Sequence, residues 1–419
     1  MTQGNSTNNK NIIILGGSYG GVSIAHHLLK HALPAFPQKE TYKVILISAA
    51  SEAMCRQACP RALISDDFFP QEKLFVSIAK QFEQYPTDDF QFVQGSATTV
   101  DHRQRTVTIR TVDEQTQTLE FYALVIATGA STPSPLFSLN REEKYLREAW
   151  AEFRSGLNTA KSIIIAGGGP AGVETAGELG EYFNGRVGWF SSKLKNPKVS
   201  ITVVTSGSAI LPHLRSSIVD TAEQYLAQVG VSIIKDTRVK SVDPVNAGVH
   251  IDNLASKATL TLSDDRKLDA DLFIPATGYT PNTSFLAKEV LTATGQVETN
   301  QSTLRVDKAG PRIYAIGDAS SFARPAVHNI IAAVPILGAN IKRDILLAAG
   351  KLESEVGVER HFKEDKRETQ MVPIGKTKGV GAAMGWRLPS WVVWLLKGRD
   401  YWLWTVGSVW SGKQWAKET

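Results

Sequence analysis

The chain has 419 residues, of which 42% are hydrophobic and 21% charged, with a formal net charge of +5. This composition is ordinary for a globular protein of two or three domains, and it excludes a largely disordered chain. The longest apolar run near the C-terminus, residues 391–396, is far shorter than the roughly 20 residues of a membrane-spanning helix, so none is expected.

The N-terminus, residues 1–10, is polar and lacks the apolar core of a secretory signal. Thr2 stands where N-myristoylation would need a glycine. We interpret these ten residues as a short disordered lead-in, and we expect the protein not to be secreted.

The first predicted element is a buried parallel strand that runs directly into a glycine-rich turn. Residues 11–15 form the strand, Gly-Gly-Ser-Tyr-Gly-Gly follows at 16–21, and an apolar helix is expected at 22–29. This order is typical of a dinucleotide-binding fold, where glycines let backbone approach a pyrophosphate and the helix N-terminus stabilises its charge. Ser18 stands at the middle glycine position, where its small side chain costs some of that approach.

The second strand of this fold, predicted at 43–48, ends without the acidic residue that normally binds ribose hydroxyls. Ser48 stands at that position, and Glu52 is the only nearby substitute. A small antiparallel insert is predicted next, with strands at 90–95, 105–112 and 119–121. Residues 124–130 then return to the main sheet.

A complete glycine motif lies at the centre of the chain. Ile-Ile-Ile-Ala at 163–166 precedes Gly-Gly-Gly-Pro-Ala-Gly at 167–172, which is a G-x-G-x-x-G between a strand and a helix. Gly167 permits the tight turn, Gly169 the approach of a pyrophosphate, and Gly172 the packing of helix on strand. One such motif is weak evidence, but two in one chain predict two nucleotide cofactors.

The remaining elements complete two nested folds. A charged helical connection is expected at 134–154, followed after the central motif by strands at 199–204, 231–235 and 240–243, a helix at 216–229, a hairpin at 248–262 and a closing segment at 272–282. A strand pair at 303–306 and 312–318 ends in Gly317-Asp318, which places a carboxylate at the carboxyl end of a strand. A long helix is predicted over 329–347.

Five motifs occur in the order found in the pyridine nucleotide-disulfide reductase superfamily: the turn at 16–21, Ala127-Thr128-Gly129, the central turn continuing to Val173-Glu174, Ala276-Thr277-Gly278-Tyr279 and Ile316-Gly317-Asp318. Within it, the sequence resembles the apoptosis-inducing-factor-like branch that includes ferroptosis suppressor protein and, more distantly, type II NADH dehydrogenases. Residues 327–332, 379–381 and 397–400 add to this likeness, especially to fungal members. The resemblance covers residues 12–410.

The implied fold is α/β, with two Rossmann-type dinucleotide-binding domains and a C-terminal tryptophan-rich segment. The expected boundaries are 1–10 for the lead-in, 11–133 and 280–350 for the two parts of the FAD-binding domain, 134–279 for the NAD(P)H-binding domain, and 351–419 for the C-terminal segment.

The resemblance implies FAD as cofactor and NAD(P)H as co-substrate. The residues that would hold them come from the glycine turns and strand ends: Gly16, Ser18, Gly21, Ala97, Thr128, Gly129 and Asp318 for FAD, and Gly167, Gly169 and Gly172 for NAD(P)H. By motif position, Ala97 would lie beside the adenine and Asp318 would accept hydrogen bonds from the ribityl chain. No spacing of histidine, cysteine or carboxylate suggests a metal site.

Three residues are candidates for contact with the reacting groups. Glu174 would reach toward flavin and nicotinamide, with the alternative of a first-turn acid that complements the helix dipole. Arg61 is predicted to bind beside the flavin and to pair with Glu174, with a surface or phosphate-binding arginine as the alternative. His328 precedes a helix that begins near the flavin in this superfamily, and a cap or loop role is equally open.

Cys55 and Cys59 lie close to where disulfide reductases keep a redox-active pair. Those enzymes have four intervening residues, whereas three lie between these cysteines. A pair at i and i+4 on a helix is near the upper limit of disulfide geometry. We expect two reduced and inert thiols.

The strand at 199–204 is followed by Thr205-Ser206-Gly207-Ser208. This turn has no carboxylate that would bind the ribose 2′-hydroxyl and repel a 2′-phosphate. NADPH is therefore expected to be accepted.

Residues 371–419 contain seven of the nine tryptophans and a surplus of five positive charges, which equals the whole net charge. No nucleic-acid-binding motif accompanies these charges, so nucleic acid is not an expected partner. Trp391, Trp394 and Leu395 recur at helical spacing, which favours peripheral contact with a membrane. The alternative is that the tryptophans pack on the FAD domain as a third layer.

These patterns and the resemblance together predict a cytoplasmic FAD-dependent oxidoreductase that passes electrons from NAD(P)H to a quinone-like or other small acceptor. Peripheral contact at a lipid-droplet or mitochondrial surface is an additional expectation. Two alternatives stay open. One is a flavin-binding redox switch in apoptosis-related signalling, and the other is a biosynthetic tailoring oxidase.

Overall fold

The computed structural model describes residues 9–188 and 191–418. Most of the predicted lead-in lies outside these ranges, and its last residue, Lys10, already begins the first strand.

The described strands, in chain order, are β1 Lys10–Leu15, β2 Tyr42–Ser48, β3 Glu52–Met54, β4 Phe75–Ser77, β5 Phe90–Asp101, β6 Thr106–Thr111, β7 Thr116–Glu120, β8 Ala123–Ile126, β9 Ala130–Ser131, β10 Ser162–Ala166, β11 Ser200–Val204, β12 Val231–Ile234, β13 Val239–Asp243, β14 Ala258–Leu262, β15 Lys267–Ala270, β16 Leu272–Pro275, β17 Thr280–Pro281, β18 Ile313–Ala315, β19 Gln370–Ile374, β20 Lys378–Ala383 and β21 Trp386–Arg387. The α-helices are α1 Tyr19–His27, α2 Cys59–Ala62, α3 Gln71–Leu74, α4 Ile78–Phe82, α5 Glu143–Leu157, α6 Pro170–Asn184, α7 Ser216–Ala227, α8 Val327–Ala348, α9 Ser390–Val393 and α10 Leu403–Trp410. Two π-helical turns continue α1 and α9, at Leu28–Ala32 and Trp394–Gly398.

The first sheet has seven strands in the order β18-β8-β1-β2-β5-β6-β7. The five strands from β18 to β5 are parallel, and β5 to β7 are antiparallel. The first half of β5 pairs with β2 and its second half with β6, so the predicted antiparallel insert extends the main sheet. The central strands are apolar and buried on both faces, as covered parallel strands must be.

The second sheet has four parallel strands in the order β12-β11-β10-β16. A separate antiparallel sheet of β13, β14 and β15 lies in the same half of the chain. The hairpin predicted at 248–262 is wrong, because residues 251–253 form a 3₁₀ turn and the chain reverses between β14 and β15 instead. Asp265, in the left-handed conformation with φ of 63°, forms that reversal.

The strand pair predicted at 303–306 and 312–318 is only partly formed. Residues 313–315 form β18, which joins the parallel sheet beside β8, whereas the upstream segment contributes one bridge, between Arg305 and Tyr314. Gly317 and Asp318 follow the carboxyl end of β18 as predicted. The charged connection is also helical over a different range, since α5 begins at Glu143 after a 3₁₀ turn at 135–137.

The C-terminal segment contacts both dinucleotide-binding folds. Its sheet of β19, β20 and β21 packs on α6 and α7, and Gly177 allows the contact because a Cβ there would lie 2.9 Å from the Cα of Ile374. Helix α10 packs on α1, where the rings of Trp410 and Tyr19 have centroids 4.6 Å apart. Across the described ranges, no helix has the length and apolar character needed to cross a membrane.

Candidate active site

A cavity of about 670 Å³ lies where the strand ends of both dinucleotide folds meet the C-terminal segment. Its walls combine the turn after β1, the end of β8, the residues after β18, the turn after β10 and the end of β16. The lining residues with polar or charged side chains are Ser18, Tyr19, Arg56, Gln57, Thr128, Thr132, Ser138, Glu174, His213, Tyr279, Asn282, Asp318 and Lys397. Carboxyl ends of parallel strands are the usual place for a ligand in open α/β sheets.

The glycine turns fit two dinucleotides. Gly16 has φ of +116°, and a Cβ there would lie 2.2 Å from the carbonyl oxygen of Ala127. In the central turn, a Cβ on Gly172 would lie 2.0 Å from the Gly167 oxygen, so only glycine permits this packing. Gly169 differs, because it lines the cavity and a Cβ there would meet no atom within 4 Å. Its open backbone is what a pyrophosphate at the start of α6 requires.

Most of the residues predicted to hold FAD lie in or directly behind one wall of the cavity. Ser18, Thr128, Gly129 and Asp318 line it directly. Gly16 and Gly21 shape the turn behind them, and Gly167 and Gly172 do the same for the second turn. The structure does not bring Ala97 to the cavity, because this residue pairs with Ile109 across β5 and β6 and packs in a separate apolar cluster.

Asp318 has a partner that sequence reasoning missed. An Nη1 donor of Arg56 lies 3.2 Å from Asp318 Oδ2, and Arg56 Nε donates to the carbonyl of Phe137 at 3.2 Å. Burial, together with the charge of Asp318, raises the pKa of Tyr279 on the same wall. Arg56 lies eight positions after Ser48, the last residue of β2, and no local sequence pattern indicated a role for it.

Glu174 is buried and lies on the cavity wall, as predicted. It is the fifth residue of α6, so it begins the second turn of the helix and does not act as a first-turn acid. Its Oε1 lies 2.5 Å from Lys397 Nζ, which also donates to the carbonyl of Met371 at 3.0 Å. Burial raises the pKa of Glu174 to about 7, and the opposing effect of Lys397 only partly offsets it.

The predicted pair between Arg61 and Glu174 is wrong. Arg61 forms a bidentate pair with Glu178, with Nε to Oε2 at 2.9 Å and Nη2 to Oε1 at 2.8 Å. Glu178 lies one helical turn beyond Glu174, where α2 packs on α6. Lys397 occupies the place beside Glu174, and Arg61 does not line the cavity.

His328 also lies away from the cavity. It is the second residue of α8 and is exposed, whereas its neighbours 325–327 line the cavity wall. Partial burial and the charge of Arg324 lower its pKa. This position does not support contact with the reacting groups.

Cys55 and Cys59 are unbridged and buried, which confirms the expectation of two reduced thiols. Cys55 Sγ accepts from the hydroxyl of Tyr19 at 3.4 Å and donates to the carbonyl of Tyr401 at 3.3 Å. Burial raises the pKa of Cys55 to about 11 and raises that of Cys59 further. Neither thiol is therefore activated as a nucleophile.

The expected ribose-binding turn, 205–208, follows β11 and contains no carboxylate. A neighbouring loop approaches it, since the amide of Asp236 donates to the carbonyl of Gly207 at 3.1 Å. Asp236 is exposed, so one carboxylate lies near this turn although none lies in it.

Two dinucleotide folds whose glycine turns open on one cavity define a flavin-dependent oxidoreductase that uses a pyridine nucleotide. The chain belongs to the pyridine nucleotide-disulphide oxidoreductase family, whose sequence profile matches residues 10–335. Its cofactors are FAD and NAD(P)H. When bound, FAD takes hydride from NAD(P)H and passes electrons to the acceptor, while the protein supplies binding, orientation and electrostatics.

Known relatives agree with this assignment. The chain is 59% identical over 417 residues to oxidoreductase phnG of Penicillium herquei, with 100% of both chains covered. It is 23% identical over 403 residues to ferroptosis suppressor protein 1 of Xenopus tropicalis, covering 93% of this chain and 92% of that one. The structure of NDH2 from Plasmodium falciparum in complex with NADH aligns with a TM-score of 0.64 at 16% identity, over 98% of this chain and 100% of NDH2, which shows a common fold. The resemblance inferred from the motifs is confirmed.

Proposed function

We propose that the protein passes electrons from NAD(P)H through FAD to a small quinone-like acceptor that binds beside Glu174 and Lys397. The observation that carries this proposal is the origin of Lys397. It comes from the C-terminal segment, outside both dinucleotide folds, yet its ammonium group lies buried on the cavity wall. A group added to the cofactor-binding folds at this point is suited to binding a second substrate.

The pair has the chemistry that reduction of a carbonyl oxygen requires. Negative charge develops on that oxygen as electrons arrive, and a preorganised cation stabilises it in a site of low dielectric. Because the pKa of Glu174 is raised to about 7, its carboxyl group exchanges a proton readily near neutral pH. Lys397 would hold the acceptor oxygen, and Glu174 would supply the proton.

The test is to compare Glu174→Gln and Lys397→Met with Lys378→Met, which removes a lysine outside the cavity lining. All three should retain FAD and be reduced by NADPH in single turnover. The first two should lose about 10²-fold or more in kcat/KM for a soluble quinone, which is typical of losing a general acid or charge stabiliser. Wild-type rates in both variants would contradict the proposal.

The acceptor itself separates the other two interpretations. A redox switch would be reduced once by NADPH and then reoxidise slowly with every quinone offered. A tailoring oxidase would oxidise an organic substrate and pass electrons to oxygen. Rapid steady-state turnover with quinone supports the proposed function over both.

We further propose that the protein takes lipophilic acceptors from a membrane surface. Trp386, Trp391 and Trp404 have 78%, 66% and 56% of their surface exposed, and Leu395 in the same segment is also exposed. The guanidinium of Arg399 lies 5.7 Å from the Trp404 ring centroid, which pairs a basic and an aromatic group as at a bilayer interface. Such exposed aromatic side chains are costly in water.

Trp391→Ser with Trp404→Ser should abolish sedimentation with anionic phosphatidylserine vesicles and reduce activity with a long-tailed quinone. Activity with a short soluble quinone should persist, because neither side chain lines the cavity. Val358→Ser removes a similarly exposed apolar group elsewhere and is the matched control. Unchanged vesicle binding by the double variant would disprove the surface contact.

A further inference from the structure

A second buried ion pair lies behind Glu174 and Lys397, and the proposed chemistry does not use it. Arg61 binds Glu178 through two hydrogen bonds of 2.8 and 2.9 Å. The hydroxyl of Tyr401 donates to the same carboxylate at 3.0 Å. All three side chains are buried, and none of them lines the cavity.

This cluster is joined to the cavity through two short links. Glu178 follows Glu174 by four residues on α6, so both carboxylates project from one face of the helix. Tyr401 donates its amide to the carbonyl of Lys397 at 2.6 Å, which fixes the turn that carries the lysine. The Tyr401 ring also lies close to both cations, with the Arg61 guanidinium 4.9 Å and the Lys397 ammonium 5.6 Å from its centroid.

We propose that Arg61, Glu178 and Tyr401 are positioning residues that set the proton affinity of Glu174 from behind, without touching cofactor or acceptor. The inference rests on the proposed function, because Glu174 is the proton donor in it. Arg61, which the sequence suggested as the cation beside the flavin, acts in this view through Glu178.

The direction of each effect follows from charge. Glu178 repels a negative charge on Glu174 and favours its protonated form, whereas Arg61 favours its ionised form, and few water molecules screen either interaction at buried sites. Removing the charge of Arg61 should therefore raise the pKa of Glu174, and removing that of Glu178 should lower it. Removing both should leave it close to the starting value.

Other groups face Glu174 and would stay constant in such a comparison. Lys397 on the π-helical turn is its direct partner, and His213, Arg56 and Asp318 line the same cavity as Glu174. Because these groups are unchanged, a change in the pKa of Glu174 that has opposite signs in the Arg61 and Glu178 variants can be attributed to the ion pair between those two residues.

The experiment measures the pH dependence of kcat/KM for a soluble quinone in the FAD-loaded enzyme. The limb of the pH profile that reports the ionisation of Glu174 should move to higher pH by about one unit in Arg61→Gln. In Glu178→Gln it should move to lower pH by a similar amount. The double variant should return it to the wild-type position. Arg61→Lys keeps the charge and should leave the limb in place even if stability falls, which separates charge from packing.

Tyr401→Phe keeps the experiment decisive if the charge variants do not fold. It removes the hydroxyl that donates to Glu178 and retains the ring. The limb of the pH profile should therefore move to higher pH, but by less than in Arg61→Gln. A pH profile that stays fixed in this variant and in every folded charge variant would overturn the inference. So would shifts of the same sign in Arg61→Gln and Glu178→Gln.

An infrared titration of the carboxyl band, assigned by its loss in Glu174→Gln, measures the same shifts without acceptor. If the band shifts as expected while Glu174→Gln turns over normally, the proposed function fails and the inference stands. If Glu174→Gln loses activity while the titration midpoint of the band is unchanged in the Arg61 and Tyr401 variants, the proposed function stands and the inference fails.

Discussion

Replacing Lys397 by methionine should make the stability of the protein depend on pH in a specific way. The substitution removes the ammonium group that lies 2.5 Å from Glu174 and leaves a buried carboxyl group without its cation. A carboxyl group in this position remains protonated to a higher pH, so the pKa of Glu174 should rise above its present value of about 7.

The magnitude follows from linkage between protonation and folding. In the unfolded chain the carboxyl group ionises near pH 4.5 and in the fold near 7, so the fold binds the proton more tightly. The contribution of Glu174 to stability is therefore greatest below pH 4.5 and falls as pH rises toward 7, by about 3 kcal/mol in total, at about 1.4 kcal/mol per pH unit. In the wild type this loss stops near pH 7. In Lys397→Met it should continue, adding about 1.4 kcal/mol for each further pH unit.

Urea unfolding of the FAD-loaded protein, followed by tryptophan fluorescence, measures this difference at several pH values. The gap between wild type and Lys397→Met should be nearly constant from pH 5 to 6 and should widen above pH 7. Adding Glu174→Gln to Lys397→Met removes the titrating group, so the gap should no longer widen. A gap of equal size at pH 6 and pH 8.5 would refute the reasoning, because it would mean that Glu174 does not depend on Lys397 for its charge.

Three further outcomes are expected. Acid precipitation should release all of the flavin as FAD, and flavin retained on the precipitated chain would contradict non-covalent binding. Gly169→Ala should fold and raise KM for NAD(P)H several-fold, because its Cβ would enter open space where a phosphate approaches, whereas Gly172→Ala should yield little folded protein because its Cβ would lie 2.0 Å from the Gly167 oxygen. The ratio of kcat/KM for NADPH and NADH should not favour NADH, and a preference for NADH of about tenfold or more, some 1.4 kcal/mol, would contradict this expectation. A shift toward NADPH in Asp236→Asn would then identify Asp236 as the acid that binds the ribose.

The fold was predictable because its signals are local. Each glycine turn is encoded by six consecutive residues, and the apolar strand before it and the helix after it follow directly in sequence. The same is true of Asp318, which lies just after its strand. These short-range patterns located most of the cofactor-binding wall, apart from Ala97, which fell on the far part of β5.

The side of the cavity that holds Glu174 and Lys397 was not predictable in the same way. Glu174 was identified, but its partner Lys397 comes from the other end of the chain. No local sequence pattern indicates that Lys397 rather than Arg61 would pair with Glu174. Glu178 lies four residues after Glu174 on the same helix, and it is this second carboxylate that binds Arg61. Packing of α2 against α6 decides between them, and that contact is tertiary.

The tryptophan-rich segment contains both buried and exposed tryptophans. Trp410 is 1% exposed, packs on Tyr19, and has its carbonyl bound by His26 at 2.8 Å, so this end of the segment belongs to the core. The stretch from Ser390 to Gly398 instead places Val393 and Lys397 inward and Trp391 and Leu395 outward. Because one short helical stretch carries both the cavity lysine and the exposed tryptophan, any contact that orders its outer face would also fix Lys397. Under the proposed function, docking at a lipid surface and readiness to reduce a lipophilic acceptor would thus be linked through the same turn of helix.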